Sequence, residues 1–370
     1  MATLFEETTI NGMTLRNRMV RSATWEGMCE PDGEPTLKLS DFYRTLAEGG
    51  VGLIITGFAF VRREGKQLPG KMGIHRDDFA DSFKNMTSAV HNAGGKIAVQ
   101  LVHAGGQTDS ENAGRQPLAP SSVRVAQFPE MPQEISQDEI KIIVAAFGES
   151  ARRAKKWGFD AVQIHGAHGY LVNQFLSPLT NRRTDQYGGS LENRSRFLFE
   201  VYNSIREAVG RDYPVMIKLN ATDNLKGGLE AGDALAVAQK LSESGIDAIE
   251  ISAGTPASGD ESPARTKIDN PKKEAYHLDL ARKIKEAVHC PVMVVGGIRS
   301  YEVAEKVIQD QGVDYVSMAR PLIREPNLPG RWMSGDRSPA ACISCNGCFM
   351  PGLKEGGIYC VVKKKEEEEK

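Results

Sequence analysis

The chain has no surplus of either charge: its 370 residues carry 46 lysines and arginines against 48 aspartates and glutamates, a formal charge of −2. That balance excludes the strong field with which proteins gather nucleic acid or an anionic membrane surface. Long apolar runs are missing too. With no stretch of 18 apolar residues, no membrane-spanning helix is expected. The start, MATLFEETTINGMTLRNRMV, has neither the cationic opening nor the apolar core of a secretory leader. A cytoplasmic protein acting on a small molecule is the expectation. No G-x-G-x-x-G follows an apolar run, which speaks against a separate dinucleotide-binding domain. Cysteine is scarce, six in all, yet Cys342, Cys345, Cys348 and Cys360 crowd together near the end. Clustered thiols in a large chain without a leader point to metal or redox chemistry rather than to a disulfide framework.

What is present is a rhythm. Short β-branched runs begin at Arg18, Gly52, Lys96, Asp160, Pro214, Asp247, Pro291 and Asp314, separated by amphipathic segments too long for hairpins. Continuous apolar runs alternating with helices predict parallel strands covered on both faces. A capping-box pattern, Ser136-x-x-Glu139, opens the helix that runs to Trp157, and Gly158 stands where a left-handed residue would stop it. Gly158-Phe-Asp160, Gly245-Ile-Asp247 and Gly312-Val-Asp314 repeat one joint, a glycine stop and an aspartate before an apolar strand. Eight such units predict a (β/α)8 barrel, with its active site on the loops that follow the strands. Three of those loops are long. The one from Ala253 to Ala275 is expected to act as a substrate lid. The lysine- and glutamate-rich tail from Lys363 to Lys370 is expected to be solvated and frayed.

The stretch HGAHGYLVNQFLSPLTNRRTDQYGGSLENRSRF, from His165 to Phe197, sets two histidines, a tyrosine and several arginines where the fourth strand ends. Their density argues for chemistry rather than for structure. Strand seven ends in Gly296-Gly297 and strand eight in Ala319-Arg320, a pairing suited to an anion: glycines admit backbone amides, and arginine offers a bidentate fork. Gln100 closes strand three. Lys218, inside the apolar strand VMIKLN, must be paired or must serve an anionic ligand.

The His165 to Phe197 stretch resembles the signature of the Old Yellow Enzyme family of FMN-dependent reductases, and the likeness runs from Asn17-Arg18 through the phosphate segment. It implies an FMN-binding barrel over residues 1–335, reduced by NAD(P)H, that reduces activated C=C bonds of unsaturated carbonyl compounds or thioesters. In that likeness His165 and His168 bind the substrate's activating oxygen and Tyr170 delivers a proton. Ala23, Thr24, Gln100 and Lys218 lie at the flavin ring, and Gly296, Gly297, Ala319 and Arg320 hold its phosphate. Two departures stand out. Most relatives have arginine in place of Lys218, and many have a cysteine or other small polar residue in place of Trp25.

Residues 336–370 form the predicted C-terminal cysteine-rich segment. Cys342-x2-Cys345-x2-Cys348-x11-Cys360 resembles the [4Fe–4S] segment of trimethylamine dehydrogenase and 2,4-dienoyl-CoA reductase. It implies a cluster fed by, or feeding, a separate electron-transfer protein. Zinc, as in a barrel hydrolase, or free thiols on a scaffold subunit are the competing readings. The sequence leaves homo-oligomer formation open. His91 and His289 fall at helix ends and are assigned structural roles.

Overall fold

The computed structural model describes residues 2–369. All eight apolar runs are strands: β1 (Met19–Arg21), β2 (Leu53–Ile55), β3 (Ile97–Val102), β4 (Ala161–Gly166), β5 (Val215–Asn220), β6 (Ala248–Ser252), β7 (Val292–Val295) and β8 (Tyr315–Met318). Each pairs in parallel with the next, and β8 pairs with β1, so the expected (β/α)8 barrel closes. Helices α1 (Leu37–Glu48), α2 (Ala80–Asn92), α3 (Gln137–Lys156), α4 (Leu191–Val209), α5 (Ala231–Glu243), α6 (Leu278–Lys285) and α7 (Tyr301–Gln309) wrap it. After β8 come two short helical turns, Arg320–Arg324 and Leu328–Met333. Among the described residues no helix is long and apolar enough to cross a membrane.

Side chains alternate along each strand, so one set faces the helices and the other the barrel axis. Ile97, Val99, Val162, Ile164, Val215 and Ile217 join the helix-facing core. Ala98, Ala161, Met216, Ala248 and Met293 form a separate cluster inside the barrel. An N-terminal hairpin completes that inner cluster. Strands Thr8–Ile10 and Met13–Leu15 pair antiparallel, and Ile10, Met13 and Leu15 join it. The turn is Asn11-Gly12, both at positive φ (40° and 76°). Asn-Gly is a strong hairpin signal that sequence reasoning passed over.

The repeated joint has a physical explanation. Gly158, Gly245 and Gly312 all take positive φ (90°, 87° and 70°), which ends each helix sharply. The aspartate two residues on then accepts the first N–H of the neighbouring strand: Asp160 from Ile97, Asp247 from Val215 and Asp314 from Val292. Each carboxylate also meets a cation at 2.6–2.8 Å: Lys96 at Asp160, Arg206 at Asp247 and Lys285 at Asp314. His91 bonds Asp160 as well, in keeping with its structural assignment. The capping box is present as expected, Ser136 and Glu139 serving each other's backbone N–H.

The tail departs from expectation. Lys370 lies outside the described residues, as does Met1, but Val361–Glu368 is a helix, α8, rather than a frayed coil. Lys363–Glu367 and Lys365–Glu369 pair one turn apart, and Arg324 reaches Glu366 at 2.7 Å. A run of three lysines followed by four glutamates supplies those i, i+4 partners. The segment before α8 folds back onto the barrel. The Ile358 N–H donates to Glu26 O, and a Cβ on Gly352 would meet the Trp25 ring at 2.9 Å.

Candidate active site

A cavity of about 390 Å³ opens over the C-terminal ends of the strands. Ala23, Thr24, Lys218, Gly297, Ala319 and Arg320, assembled from four separate strands, line it, together with His168 and Tyr170 from the loop after β4. Two further residues singled out in the sequence sit close by. His165 lies beside Tyr170, with ring centroids 4.5 Å apart, and Gln100 is buried beneath. Gly296 neighbours Gly297 without forming part of the wall. Gly297 takes φ +72°, and a Cβ there would sit 2.8 Å from the Tyr276 ring, so glycine is required by conformation and by space.

The floor is a buried polar network. Gln100 bonds Gln163 at 2.6 Å, Gln163 bonds Glu250 at 2.9 Å, and Glu250 accepts from Ser22 at 2.7 Å. Lys218 donates to Ser22 Oγ at 2.7 Å and pairs with Glu250 at 3.3 Å. The lysine is thus paired and also faces the cavity. Burial depresses its pKa, and Glu250 opposes that shift. Glu250 was missed in the sequence, although an ionisable residue within AIEIS carries the same signal that drew attention to Lys218. Two buried atoms have no partner, Gln100 Oε1 and Ser317 Oγ. Buried polar groups are ordinarily satisfied, so these mark where a ligand's polar atoms belong.

The signature loop holds its side chains by unusual backbone. His168 takes φ +59°, in the left-handed region that disfavours a side chain. Its turn is fixed by Gln107 donating to His168 O and by Asn173 accepting the Gly169 N–H. His168 Nε2 lies 2.7 Å from Ser252 Oγ. His165 Nδ1 accepts the Ala167 N–H at 3.4 Å, which leaves Nε2 as the protonated nitrogen of the neutral ring. Burial first, and then neighbouring charge, pushes both imidazoles well below their ordinary pKa, so both are neutral donors at physiological pH. Burial likewise raises the Tyr170 phenol, which stays protonated. Its Oη donates to Gln67 Oε1 at 2.6 Å, and Lys71 Nζ donates to the same oxygen at 2.8 Å. Gln67 and Lys71 follow β2 in an irregular loop, and nothing in the local sequence foretold their role. The arginines of the signature are structural. Arg183 bonds Pro120 O and Ile135 O and pairs with Asp185, while Arg194 pairs with Asp233.

The loop after β6 covers the cavity with Pro263, Ala264 and Tyr276, as a lid would, but it is tied down. Asn346 donates to Ala264 O, Arg320 to Arg265 O and Arg299 to Ile268 O. It is a braced roof.

Residues 336–370 contribute Ser344, Phe349 and Leu353 to the same cavity. Cys342, Cys345, Cys348 and Cys360 make no disulfide. They line one small cavity of about 20 Å³ whose other walls include Arg320 and Ile323. Arg320 therefore stands between the cysteines and the larger cavity. Arg324 Nη1 lies 3.7 Å from Cys360 Sγ, and the Ser344 N–H points to Cys342 Sγ at 3.5 Å. Among the described residues no three His, Cys, Asp or Glu side chains meet closely enough to hold a single metal ion.

Comparison with known proteins agrees with this geometry. The profile of the NADH:flavin oxidoreductase / NADH oxidase family matches residues 3–337. The chain is 38% identical to an NADH oxidase of Thermoanaerobacter brockii over 350 residues, 94% of this chain and 53% of that protein. It is 36% identical to an NADPH dehydrogenase of a Geobacillus species, over 88% of this chain and 92% of that one. The solved complex of 2-naphthoyl-CoA reductase with 2-naphthoyl-CoA superposes with a TM-score of 0.89 at 29% identity, over 97% of this chain and 56% of the other. The chain thus spans about half the length of the first curated relatives it matches.

Proposed function

The chain belongs to the NADH:flavin oxidoreductase / NADH oxidase family, the Old Yellow Enzymes its signature loop resembles, and from that premise we propose an FMN-dependent NAD(P)H oxidoreductase that reduces activated C=C bonds. The observation that carries this reading is the convergence of two neutral imidazoles and a protonated phenol over a floor with unpaired polar atoms. The residues fit the flavin. Ala23, Thr24, Gln100 and Lys218 would meet its ring, with the unpaired Gln100 Oε1 available to it, and Gly296, Gly297, Ala319 and Arg320 would hold its phosphate. When bound, FMN supplies hydride to the β-carbon of the alkene and takes hydride from the nicotinamide. Lys218 would place a cation beside the bound ring. His165 and His168 donate hydrogen bonds to the substrate's carbonyl oxygen and stabilise negative charge that develops there. Tyr170 gives its phenolic proton to the α-carbon, and Gln67, fixed by Lys71, holds the hydroxyl in place.

Residues 336–370 serve in this proposal as a cap that carries a [4Fe–4S] cluster on Cys342, Cys345, Cys348 and Cys360. The four cysteines line one shared cavity, and their thiolates would be the donors that hold such a cluster. Nearby Arg320 and Arg324 suit its negative charge. Such a cluster would let the barrel exchange electrons with a protein or domain beyond these residues, as a dienoyl-CoA-reductase-like or amine-dehydrogenase-like enzyme would. Two measurements test the reading. Denaturation of the purified protein should release about one FMN per chain, and release of FAD or of no flavin would overturn it. Anaerobic protein should hold about four irons with matching acid-labile sulfide, both lost in Cys345→Ala. Stoichiometric zinc would remove the cluster from the proposal.

A further inference from the structure

Beside the catalytic cavity lies a second and larger one, of about 790 Å³, that the chemistry above does not use. Ala264 and Tyr276 border both, so the two form neighbouring compartments with a shared wall. The second is cationic. Arg265, Lys267, Lys272 and Lys273 line it, against Asp260 alone among acidic side chains of the lining. Lys273 pairs with Asp269 at 2.8 Å, whereas Arg265, Lys267 and Lys272 make no ion pair among the described residues. Arg265 lies over the Tyr276 ring at 4.6 Å, and its buried Nε has no hydrogen-bond partner. Arg299, Arg320 and Asn346 hold the backbone at Ala264, Arg265 and Ile268, on either side of Lys267.

Four cations around one groove repel one another, and in a chain of net charge −2 they do not reflect a generally basic surface. The arrangement is favourable when an anion of more than one charge lies between them. Rigid backbone means that little ordering is needed on binding. The groove is roughly twice the catalytic cavity, room for a nucleotide rather than a single phosphate.

We propose that this groove binds the phosphate-bearing adenosine tail of a ligand whose reacting end enters the catalytic cavity past Tyr276. The inference rests on the flavin-reductase reading for what happens at that reacting end. Two ligands share the chemistry: a coenzyme A thioester as substrate, and the nicotinamide dinucleotide as reductant.

The test uses the flavin-loaded protein. Titration calorimetry with coenzyme A, NADP+ and pantetheine, in low and moderate salt, compares wild type with Lys267→Ala/Lys272→Ala/Lys273→Ala. At least one of the two phosphate-bearing probes should weaken roughly tenfold in the variant, since exposed ion pairs contribute at most about 1 kcal/mol each. Its wild-type affinity should fall with added salt. Loss confined to coenzyme A assigns the groove to the substrate, and loss confined to NADP+ assigns it to the reductant. Lys267→Glu/Lys272→Glu should weaken the same probe further. Unchanged affinity for both probes overturns the proposal, as does equal weakening of pantetheine. Flavin loss in the variants also overturns it, because the cations would then serve the flavin phosphate. Failure of wild-type enzyme, reduced with dithionite, to reduce a small cyclic enone would break the flavin-reductase reading instead, while the titration still reports on the groove.

Discussion

Where the barrel strands begin, Asp160, Asp247 and Asp314 each meet a cation and a strand N–H; where they end, Gln100 Oε1, Ser317 Oγ and both ring nitrogens of His277 have no partner. The three carboxylates at the strand beginnings are thus satisfied, whereas these polar atoms toward the strand ends are not. His277 is buried, and its pKa is pushed down to about 3, by burial first and then by Arg265 and Lys218. At the strand beginnings a partly buried charge is part of the scaffold. Toward the strand ends the unpaired atoms leave hydrogen-bonding capacity free for a ligand.

Substitutions at the two ends should separate activity from stability. The largest effect is expected for Tyr170→Phe. Alkene reduction should slow by ~10²–10⁴-fold while reduction of the flavin by nicotinamide is unchanged, as general acid removal requires. Stopped-flow measurement of the two half-reactions checks this, and equal small effects on both would take Tyr170 out of the proton-donor role.

Lys218→Met crosses the comparison, since Lys218 belongs to both site and scaffold. It leaves Glu250 buried without its cation, a loss of about 3–5 kcal/mol. Adding Glu250→Gln should recover much of the melting temperature without recovering flavin affinity. If the double variant regains flavin as well, Lys218 matters only as Glu250's partner.

At the opposite end, Asp247→Ala should lower stability by about 1.5–3 kcal/mol, the scale of hydrogen bonds to a charged group, with kcat unaltered. Urea denaturation read beside steady-state rates makes the check. Asp160 gives the same end a pH signature. Burial pushes its pKa up, but hydrogen bonds from His91, Lys96 and the Ile97 N–H outweigh that and hold it below the usual carboxylate value. A depressed carboxyl contributes stability that is full above its unfolded pKa of about 4 and is lost as pH falls through the lower folded value. Asp160→Asn should therefore be less stable at neutral pH and show a shallower loss of stability below about pH 4. An acid limb as steep as in wild type would show that Asp160 does not titrate with unfolding.

The smallest change is Gly158→Ala, expected to lose about 1 kcal/mol from forcing a side chain to positive φ. Thr87 Oγ1, 2.9 Å from the new Cβ, adds to that. Gly312→Ala meets no atom within 4 Å, so the difference between the two variants isolates the steric part.

Much of this was legible in the chain itself. Periodicity and the Gly-x-Asp joints determined the eight strands, because a buried parallel strand must be apolar along its length and a helix must stop at a left-handed residue. His165, His168, Tyr170, Lys218 and Arg320 were legible because reactive or charged side chains at the ends of apolar strands violate the surrounding pattern. Three things were not. The role of Gln67 and Lys71 depends on a loop after β2 folding over a tyrosine 103 positions away from Gln67, and no local pattern encodes that. The closure of residues 336–369 over the barrel, with Phe349 and Leu353 entering the cavity wall, depends on contacts with Trp25 and Glu26 from the other end of the chain. The cationic groove was read only as a substrate lid, since its cations acquire meaning when Arg299, Arg320 and Asn346 fix the backbone at Ala264, Arg265 and Ile268. Sequence determined which segments bury themselves, a matter of hydrophobic period. Tertiary structure decided which distant polar groups meet, because that depends on where the closed barrel places the ends of its strands.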